Sequence, residues 1–418
     1  MRQRAGGVFF GWWIVAASAG IQVLQAGLLM QAYGAYVSVL RDEFGWSKTA
    51  LSIGYSLQPV QSGLLGPVQG WMIDRWGPKR VMSVGMILFG AGFMLFSQVN
   101  SLTTFYLTFI VMAIGASLSG FMSITTTLVQ WFERRRATAM SISQTGMSVG
   151  GMLVPIVALS LTTFGWRETA FASGVIVLVV GLPLAQLMRT EPEQYGLLPD
   201  GATAGEVNAV TGVADAATSD RFDFTAKEAL RTRSFWLISF GHATALLVVS
   251  AVMVHLVLHL QEGMGYSLSQ ATSVIAVLTL LTAIGQIAGG FLGDRFEKRI
   301  IAALAMFGHS AGLLALAWGE SLLWVIVFTF SHGIAWGMRG PLMQAMRADY
   351  FGRKNFGTIM GYSSMIIMVG MVSGPLVAGL MADHFGNYRY GFTILAVLAA
   401  LGSIFFIFAT KPAPPLAA

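Results

Sequence analysis

Apolar residues are concentrated in twelve long runs along the chain, and short polar segments separate most of them. The runs cover residues 10–38, 48–73, 81–99, 102–131, 138–163 and 168–188, followed by 235–261, 270–292, 300–318, 322–347, 357–382 and 391–410. A helix needs about 20 mainly apolar residues to cross the hydrocarbon core of a bilayer. The pattern therefore predicts an all-α membrane protein with 12 transmembrane helices, arranged as two six-helix bundles.

One long polar segment divides the chain into halves. Residues 189–233 are rich in Ala, Gly, Thr, Asp and Glu, and six apolar runs lie on either side. We therefore predict an N-terminal six-helix bundle at 1–188, a cytoplasmic linker at 189–233 and a C-terminal six-helix bundle at 234–418. The first apolar run follows the basic segment MRQRAGG without an A-x-A cleavage site, which predicts an uncleaved first span.

The composition agrees with a membrane protein and excludes several other classes. Of the 418 residues, 55% are hydrophobic and only 11% are charged, whereas soluble proteins contain about 25% charged residues. This excludes a soluble multi-domain enzyme and a disordered protein, and the absence of Cys excludes a disulfide-stapled scaffold. The net charge of +6 does not indicate nucleic-acid binding, because the basic residues lie in short clusters between the apolar runs.

The basic residues strongly favour one side of the membrane. If both termini and the linker share a side, that side holds 20 of the 25 Lys and Arg residues and the opposite side holds 4. Because Lys and Arg are enriched on the cytoplasmic side, we predict a bacterial inner-membrane protein with both termini in the cytoplasm. Arg339 belongs to neither group, since it lies inside an apolar run.

The two halves contain matching motifs at a nearly constant spacing. Three motifs recur 220 residues later: Gly45-Trp46-Ser47 as Gly265-Tyr266-Ser267, Gly70-x3-Asp74-Arg75 as Gly290-x3-Asp294-Arg295, and Gly150 with Pro155 as Gly370 with Pro375. A fourth motif, Trp131-Phe132-x-Arg134, recurs 219 residues later as Tyr350-Phe351-x-Arg353. This spacing indicates an internal duplication. Transporters built from parallel six-helix repeats bind substrate near the bilayer midplane, where the repeats meet.

The segment from Gly70 to Arg80, GWMIDRWGPKR, resembles the G-x-x-x-D-R-x-G-[RK]-[RK] signature of the major facilitator superfamily. It lies between spans 2 and 3, as in that family, and the resemblance covers essentially the whole chain and implies the major facilitator fold. In the family this motif latches the cytoplasmic gate. The resemblance therefore implies gating roles for Gly70, Asp74, Arg75, Gly77, Lys79 and Arg80, and for the second copy at Gly290, Asp294 and Arg295. The alternative is a charge cluster that only orients the chain.

Three further segments resemble the monocarboxylate and oxalate/formate transporter branch of this superfamily. They are Gly11-Trp12-Trp13, Trp131-Phe132 with Arg134-Arg135, and Tyr350-Phe351-Gly352-Arg353. That branch carries a substrate-binding Arg in span 8, four residues before the glycine that matches Gly290, and a Lys in span 1. Here the corresponding positions are Gln286 and, counting from Trp13, Gln31. Both cationic anchors are thus replaced by amides.

Arg339 lies deep inside span 10, within the apolar run 322–347. An ionisable residue inside a span is costly and therefore points to a function. His332 lies seven residues earlier on nearly the same helical face, and Trp336 lies between them. We predict that Arg339 pairs with an anionic group of the substrate. The alternative is an Arg that bonds backbone carbonyls or snorkels toward the cytoplasm.

The other candidate substrate-binding residues are neutral. They recur at helical spacing in four spans: Gln22, Gln25, Tyr33 and Tyr36 in span 1, Tyr55, Gln58, Ser62 and Gln69 in span 2, Ser141, Gln144 and Ser148 in span 5, and Thr279, Thr282 and Gln286 in span 8. Each set alone fits hydrogen bonding between helices, and together they predict a cavity rich in amides and phenols. All 19 Asp and Glu lie in loops or at span ends, which leaves His332 or His255 as a proton carrier.

These features predict a secondary active transporter that moves a small organic anion, in particular a carboxylate, by alternating access. One alternative is a transporter of a neutral or amphipathic aromatic metabolite; another, of a different class, is a transport-incompetent membrane sensor or receptor. The sequence contains no nucleophile, metal-ligand or phosphate-loop pattern that indicates an enzyme, a metal or a cofactor. We expect a monomer in the lipid bilayer that binds a small-molecule substrate with a coupling proton or an exchanged anion, and no nucleic acid.

Overall fold

The computed structural model describes residues 8–46, 48–202 and 223–414, and most of them lie in twelve long helices. The helices, counted across π turns and interruptions of one or two residues, are α1 Phe10–Phe44, α2 Lys48–Trp76, α3 Pro78–Phe96, α4 Leu102–Trp131, α5 Arg136–Phe164, α6 Trp166–Gln186, α7 Arg233–Gly263, α8 Leu268–Gly293, α9 Lys298–Trp318, α10 Leu322–Phe351, α11 Phe356–Phe385 and α12 Arg389–Phe408. A short helix, Ala226–Arg231, precedes α7. The predicted all-α fold with 12 helices is confirmed, and no strand occurs in the described ranges.

Eleven of the described helices are long and apolar enough to cross a membrane, and α2 falls below that limit. Its glutamines, among them Gln58, Gln61 and Gln69, lower its mean hydropathy. Pro59 and Pro67 also lie inside it, which is tolerated in membrane helices whose neighbours satisfy the freed backbone groups. At 29 residues, α2 is nevertheless long enough to span a bilayer.

Three of the described helices contain a π turn, in which the backbone hydrogen bonds connect residues five positions apart. These turns are Ala26–Met30 in α1, Val177–Gly181 in α6 and His259–Gly263 in α7. A π turn inserts one residue into an α-helix. Side chains beyond it are therefore rotated by about 100° from the direction that regular spacing predicts.

The chain divides into two compact units. The first comprises Met1–Asp223 together with Arg353–Gly361, and the second comprises Phe224–Gly352 together with Tyr362–Ala418. The beginning of α11 therefore packs with the first unit, although it follows α10 in the chain. The rest of α11 belongs to the second unit with α7 to α10 and α12.

In the second unit, α10 approaches α8 and α9 closely because glycines lie at both crossings. A Cβ atom at Gly337 would lie 1.9 Å from the backbone oxygen of Thr282 in α8. A Cβ atom at Gly312 in α9 would lie 3.1 Å from the Cβ atom of His332 in α10. Small residues allow helix backbones to approach closely in membranes, and here they bring the polar side chains of the three helices together.

Two carboxylates within the segment 189–233 cap equivalent turns of the internal repeat. Asp200 accepts hydrogen bonds of 2.8–3.2 Å from three successive backbone N–H groups, those of Glu133, Arg134 and Arg135. Asp223 accepts hydrogen bonds of 2.7 and 3.0 Å from the N–H groups of Arg353 and Lys354. Because Arg134 and Arg353 are equivalent in the repeat, a carboxylate caps the same turn in each copy, just before α5 and α11.

Candidate functional site

Arg339 lies in the middle of α10, and only 1% of its surface is exposed. Its Nε and Nη1 atoms have no hydrogen-bond partner. None of the ion pairs found among the described residues includes Arg339. This burial shows that the side chain does not snorkel to a surface. A buried charge without a partner is unfavourable, so an anion at this position would stabilise the protein.

The close crossing of α8 and α10 brings an amide and an indole near the level of Arg339. A Cβ atom at Gly337 would lie 2.6 Å from the backbone nitrogen of Gln286. The Gln286 side chain is 8% exposed, and its Oε1 atom has no hydrogen-bond partner. Trp336 precedes Gly337 and is half-buried. Its ring centroid lies 6.3 Å from that of His332.

His332 forms a pair with His309, a residue of α9 that the sequence pattern did not single out as a binding residue. The two Nδ1 atoms lie 3.0 Å apart, and the ring centroids lie 4.6 Å apart. Both side chains are fully buried, and both Nε2 atoms lack a hydrogen-bond partner. The pair depends on the α9–α10 crossing at Gly312, which the periodicity of either helix alone does not reveal.

Arg347 is a second buried cation of α10, with 1% of its surface exposed. The count of basic residues assigned it to the cytoplasmic side, at the end of the apolar run of span 10; α10 continues to Phe351 and the side chain is buried within the helix packing. Its two Nη atoms make four hydrogen bonds of 2.8–3.4 Å, to Met343 O, Gln344 Oε1, His242 Nδ1 and Ser363 Oγ. Unlike Arg339, Arg347 is therefore held by its surroundings.

Apart from the His332 ring, the buried polar atoms of α10 that lack a partner are all nitrogen donors. They are Nε and Nη1 of Arg339, Nε2 of Gln344 and Nε of Arg347. Guanidinium and amide N–H groups can only donate hydrogen bonds. Two positive charges accompany these donors. Such a set of groups is suited to the oxygen atoms of a carboxylate or a phosphate, which accept strong, charge-assisted hydrogen bonds.

In the first unit, the polar side chains of α1 and α5 serve mainly to connect helices. Gln22 donates hydrogen bonds of 2.9 and 2.7 Å to the backbone oxygen and the hydroxyl of Ser143. Gln25 donates to the backbone oxygen of Ala116 at 2.9 Å. Gln144 follows Ser143 in α5 and is 8% exposed. These amides are neutral, so they offer hydrogen bonds without a charge.

The structure separates four residues that were predicted to share one face of span 1, which are Gln22, Gln25, Tyr33 and Tyr36. The π turn Ala26–Met30 lies between the glutamines and the tyrosines and rotates the second half of α1. The Tyr33 hydroxyl donates to the backbone oxygen of Leu51. The Tyr36 ring packs against Phe96, with centroids 5.7 Å apart. The four side chains therefore do not form a single polar stripe.

The remaining predicted residues of spans 1 and 2 lie in the first unit. Gln31 directly follows the π turn of α1 and is exposed. Its Nε2 atom donates to the backbone oxygen of Met147 at 3.0 Å. Gln58 is half-buried in α2. Tyr55 lies in the same helix, but its side chain lies outside the described part of the structure.

His255 in α7 has a partner on each side of its ring. Its Nδ1 atom lies 3.3 Å from the hydroxyl of Tyr388, and its Nε2 atom lies 3.0 Å from the backbone oxygen of Pro375. His255 therefore contacts Tyr388 and Pro375 and does not take part in the His309–His332 pair. Within the described ranges, no three His, Asp or Glu side chains are grouped closely enough to hold a metal ion.

Gly70 and Asp74 of α2 lie against the beginning of α11. A Cβ atom at Gly70 would lie 2.1 Å from the backbone oxygen of Gly357, so a larger residue would force the helices apart. Asp74 accepts hydrogen bonds from the N–H group of Gly357 at 3.0 Å and from the N–H and hydroxyl groups of Thr358 at 2.7 Å. Asp74 follows the predicted span 48–73, and burial raises its pKa to about 6 although these hydrogen bonds oppose the rise.

The other residues of this motif lie at the turn into α3 or at the surface. Gly77 has a φ angle of 79° and precedes the first residue of α3. Lys79 and Arg80 are exposed in the first turn of α3. The Cζ atom of Arg75 lies 5.9 Å from the ring centroid of Trp71, close enough for a weak cation–π contact.

The second copy of the motif repeats this local arrangement in the second unit. The Cζ atom of Arg295 lies 3.5 Å from the ring centroid of Phe291, the residue equivalent to Trp71. Gly290 is buried, and Asp294 is the C-cap residue of α8. The duplication therefore preserves the contact between the arginine and an aromatic ring four residues earlier.

Comparison with known proteins gives a family match over nearly the whole chain. The family described as Major Facilitator Superfamily matches residues 9–338 and, in a second match, residues 238–418. Among solved structures, the human organic anion transporter MFSD10 is similar with a TM-score of 0.70 and 17% sequence identity, over 94% of this chain and 98% of that one.

Curated relatives share about a quarter of their residues with this chain. A "Probable hexose phosphate transport protein" of Chlamydia trachomatis is 24% identical over 78% of this chain and 75% of its own length. Monocarboxylate transporter 13 of Rattus norvegicus is 24% identical over 94% of this chain and 88% of its own length. Membrane sensor protein UhpC of Salmonella typhimurium is 26% identical over 66% of this chain and 59% of its own length.

Proposed function

Because the chain belongs to the Major Facilitator Superfamily, we propose that it is a secondary active transporter that moves a small organic anion by alternating access. A carboxylate is the simplest anion of this kind. The observation that carries the proposal is the state of Arg339, a fully buried cation whose Nε and Nη1 atoms have no partner. An anionic substrate would supply the missing acceptors and the missing negative charge.

The neighbours of Arg339 fit an organic anion better than an inorganic one. The carboxylate would accept hydrogen bonds from Arg339, while the amide of Gln286 and the indole of Trp336 would contact the rest of the molecule. Hexose phosphates and monocarboxylates, after which two of the relatives are named, are organic molecules with a negative charge. Their chemistry therefore agrees with a cationic binding residue.

Two other functions have an observation in their favour. The neutral amides of the first unit, such as Gln22 and Gln144, would suit a neutral or aromatic metabolite, with Arg339 in a structural role. The similarity to a membrane sensor protein favours a receptor that binds its ligand without transporting it. These candidates differ in which compounds bind and in whether a bound compound crosses the membrane.

We also propose a topology for this multi-pass integral membrane protein. Both termini lie in the cytoplasm and the host membrane is a bacterial inner membrane, because 20 of the 25 basic residues were assigned to one side. We propose that the transporter works as a monomer, with a coupling proton or an exchanged anion as its co-substrate.

A thermal-shift screen tests the substrate class directly. Purified protein is melted with acetate, lactate, succinate, benzoate and glucose 6-phosphate, and with glucose and tryptophanamide as compounds that carry no negative charge. A compound that binds the folded state raises the melting temperature. Stabilisation by one or more anions supports the proposal, and stabilisation by the uncharged or cationic compounds alone contradicts it.

Uptake into proteoliposomes separates a transporter from a sensor. An anion that stabilises the protein is supplied in radiolabelled form outside vesicles that contain wild-type protein or the Arg339→Gln variant. We expect uptake by the wild type and none by the variant at equal protein content. Binding without uptake by the wild type would favour the receptor function instead.

A further inference from the structure

We infer that the His309–His332 pair is a proton-binding site, and that its proton is transported together with the anion at Arg339. The protein would then be a proton–anion symporter. This inference rests on the proposed function and selects a coupling proton over an exchanged anion. It requires that the pair can hold one extra proton and that a bound anion favours this protonation.

The pair lies deep in the second unit and has the geometry of a shared hydrogen bond. The Nδ1 atoms of His309 and His332 are 3.0 Å apart, and neither ring is exposed. Gly312 allows this approach, because its missing side chain leaves room for the backbone of α10 beside His332. Phe328 stacks on His332 with ring centroids 5.3 Å apart and a 26° angle between the planes, which fixes the orientation of that ring.

The hydrogen bond between the two Nδ1 atoms defines where an extra proton can bind. A neutral imidazole carries hydrogen on only one of its nitrogens. The ring that donates through Nδ1–H therefore has a free lone pair on Nε2, whereas the accepting ring carries its hydrogen on Nε2. Both Nε2 atoms lack a partner. A proton can add to the free Nε2 atom without breaking the Nδ1–H···Nδ1 bond, and the product is one imidazolium beside one neutral imidazole.

Arg339, seven residues after His332 in α10, is the charged side chain that acts on both rings, and the His332 ring also acts on His309. Between their ends, the described parts of α8 and α12 carry no charged or titratable side chain. The three histidines of α7 have partners of their own: His242 contacts Arg347, His255 contacts Tyr388, and His259 contacts the backbone oxygen of Leu316. Arg233 and Glu262 lie at the two ends of α7. The charge state of Arg339 thus determines the electrostatic environment of the pair.

Binding of an anion to Arg339 would change that environment in favour of the proton. With Arg339 unpaired, a positive charge on the pair is repelled by the guanidinium. An anion on Arg339 cancels this repulsion and adds an attraction of its own. By thermodynamic linkage, a proton on the pair must in turn strengthen anion binding by the same factor. The two ligands would therefore bind together and leave together.

Proton uptake during anion binding tests this coupling. Wild-type protein in weakly buffered detergent solution at about pH 7.5 is mixed in turn with acetate, lactate, succinate, benzoate and glucose 6-phosphate, and a pH dye reports the protons taken up. We expect about one proton per bound anion. The Kd of that anion should also rise about tenfold per pH unit at high pH, as linkage of one proton requires.

Variants at the pair provide the structural control. His309→Gln and His332→Gln each keep a side chain that can hydrogen-bond to the remaining imidazole, so at least one of them should fold. We expect proton uptake to decrease in either single variant, whose remaining imidazole has lost its imidazole partner but keeps a nitrogen lone pair, and to be absent, with a nearly pH-independent Kd, in the double variant His309→Gln/His332→Gln. His259→Gln replaces another buried histidine outside the pair and should take up the proton as the wild type does.

The outcomes separate this inference from the proposed function. If an anion binds to the wild type without proton uptake, the inference is wrong while the proposed function stands. If the double variant His309→Gln/His332→Gln still takes up one proton per anion, the proton site is elsewhere and the inference is wrong. If no anion binds to the wild type, both proposals fail.

Discussion

Replacing Arg339 by Gln should affect the ligand-free protein and the ligand complex in opposite directions. In the ligand-free protein, the substitution removes a buried charge that has no partner. Leaving a buried charge without its partner costs about 3–5 kcal/mol, and an unpaired buried amide costs about 1–3 kcal/mol. The variant should therefore be more stable than the wild type by about 2 kcal/mol, the difference between these two ranges.

The same substitution should nearly abolish anion binding. A hydrogen bond to a charged group contributes about 1.5–3 kcal/mol, and Arg339 has two donor atoms, Nε and Nη1, available for the ligand. Losing both corresponds to about 3–6 kcal/mol, or an affinity roughly 10² to 10⁴ times weaker. At ligand concentrations that saturate the wild type, the variant should remain almost ligand-free.

Thermal unfolding in detergent measures both effects in one experiment. At about 2–4 °C per kcal/mol for a unit of 150–250 residues, ligand-free Arg339→Gln should melt several degrees above the wild type and show no shift with an anion. Arg347→Gln is the matched control, because Arg347 lies in the same helix and is equally buried but already donates four hydrogen bonds. That variant should melt below the wild type.

Two results would refute this reasoning. If Arg339→Gln lowers the ligand-free melting temperature as much as Arg347→Gln does, then Arg339 has stabilising partners and is a structural residue. If the variant binds an anion with wild-type affinity, then another group holds the negative charge. The first result would favour the neutral-substrate alternative, and the second would leave the substrate anionic but remove Arg339 as its binding residue.

Asp74→Asn should slow uptake about tenfold with an unchanged anion Kd, because an amide cannot accept from all three donors at the start of α11; turnover and Kd measured together check this. Burial raises the pKa of Asp74 to about 6 while Asp74 packs against the start of α11, so its carboxyl group holds a proton more tightly there than when it is exposed. Acidification from about pH 7.5 to 5 should therefore favour the state in which Asp74 packs against α11, in the wild type but not in Asp74→Asn. Gly337→Ala should destabilise the protein by about 1–3 kcal/mol through overlap with α8, whereas Gly34→Ala, where a Cβ atom would meet nothing within 4 Å, should not; urea or thermal unfolding compares them. Asp200→Ala should cost about 1 kcal/mol, as loss of a cap does, measured in the same way.

The number of helices and the limits of most of them could be predicted from the sequence, because an apolar run of this length in a membrane has few structures available other than a spanning helix. The runs 81–99 and 300–318, for example, lie within a few residues of α3 and α9. The sequence was less reliable where a helix continues past its apolar stretch. The apolar run of span 10 ends at Arg347, but α10 continues to Phe351, so the sequence did not predict that the Arg347 side chain is buried.

The contacts of the candidate site depend on helix crossings, which no single helix encodes. His309 and His332 each look like an isolated histidine in the sequence, and their pairing requires the close approach at Gly312. Local irregularity has a similar effect in α1, where the π turn moves Tyr33 and Tyr36 away from the face of Gln22. Arg339 could be selected from the sequence, because a charged side chain inside a membrane span has a high free-energy cost whatever its neighbours are.

The π turns of α1 and α7 lie at different heights in two helices that correspond to each other in the internal repeat. With the offset of 220 residues, His259–Gly263 aligns with residues 39–43, whereas the turn of α1 is at Ala26–Met30. Each copy therefore contains one inserted residue, and the repeat returns to register at Gly45 and Gly265. Between the two turns, equivalent residues face different directions. Duplicated helices can in this way diverge in the surface they present while their length, and the loops that depend on it, stay the same.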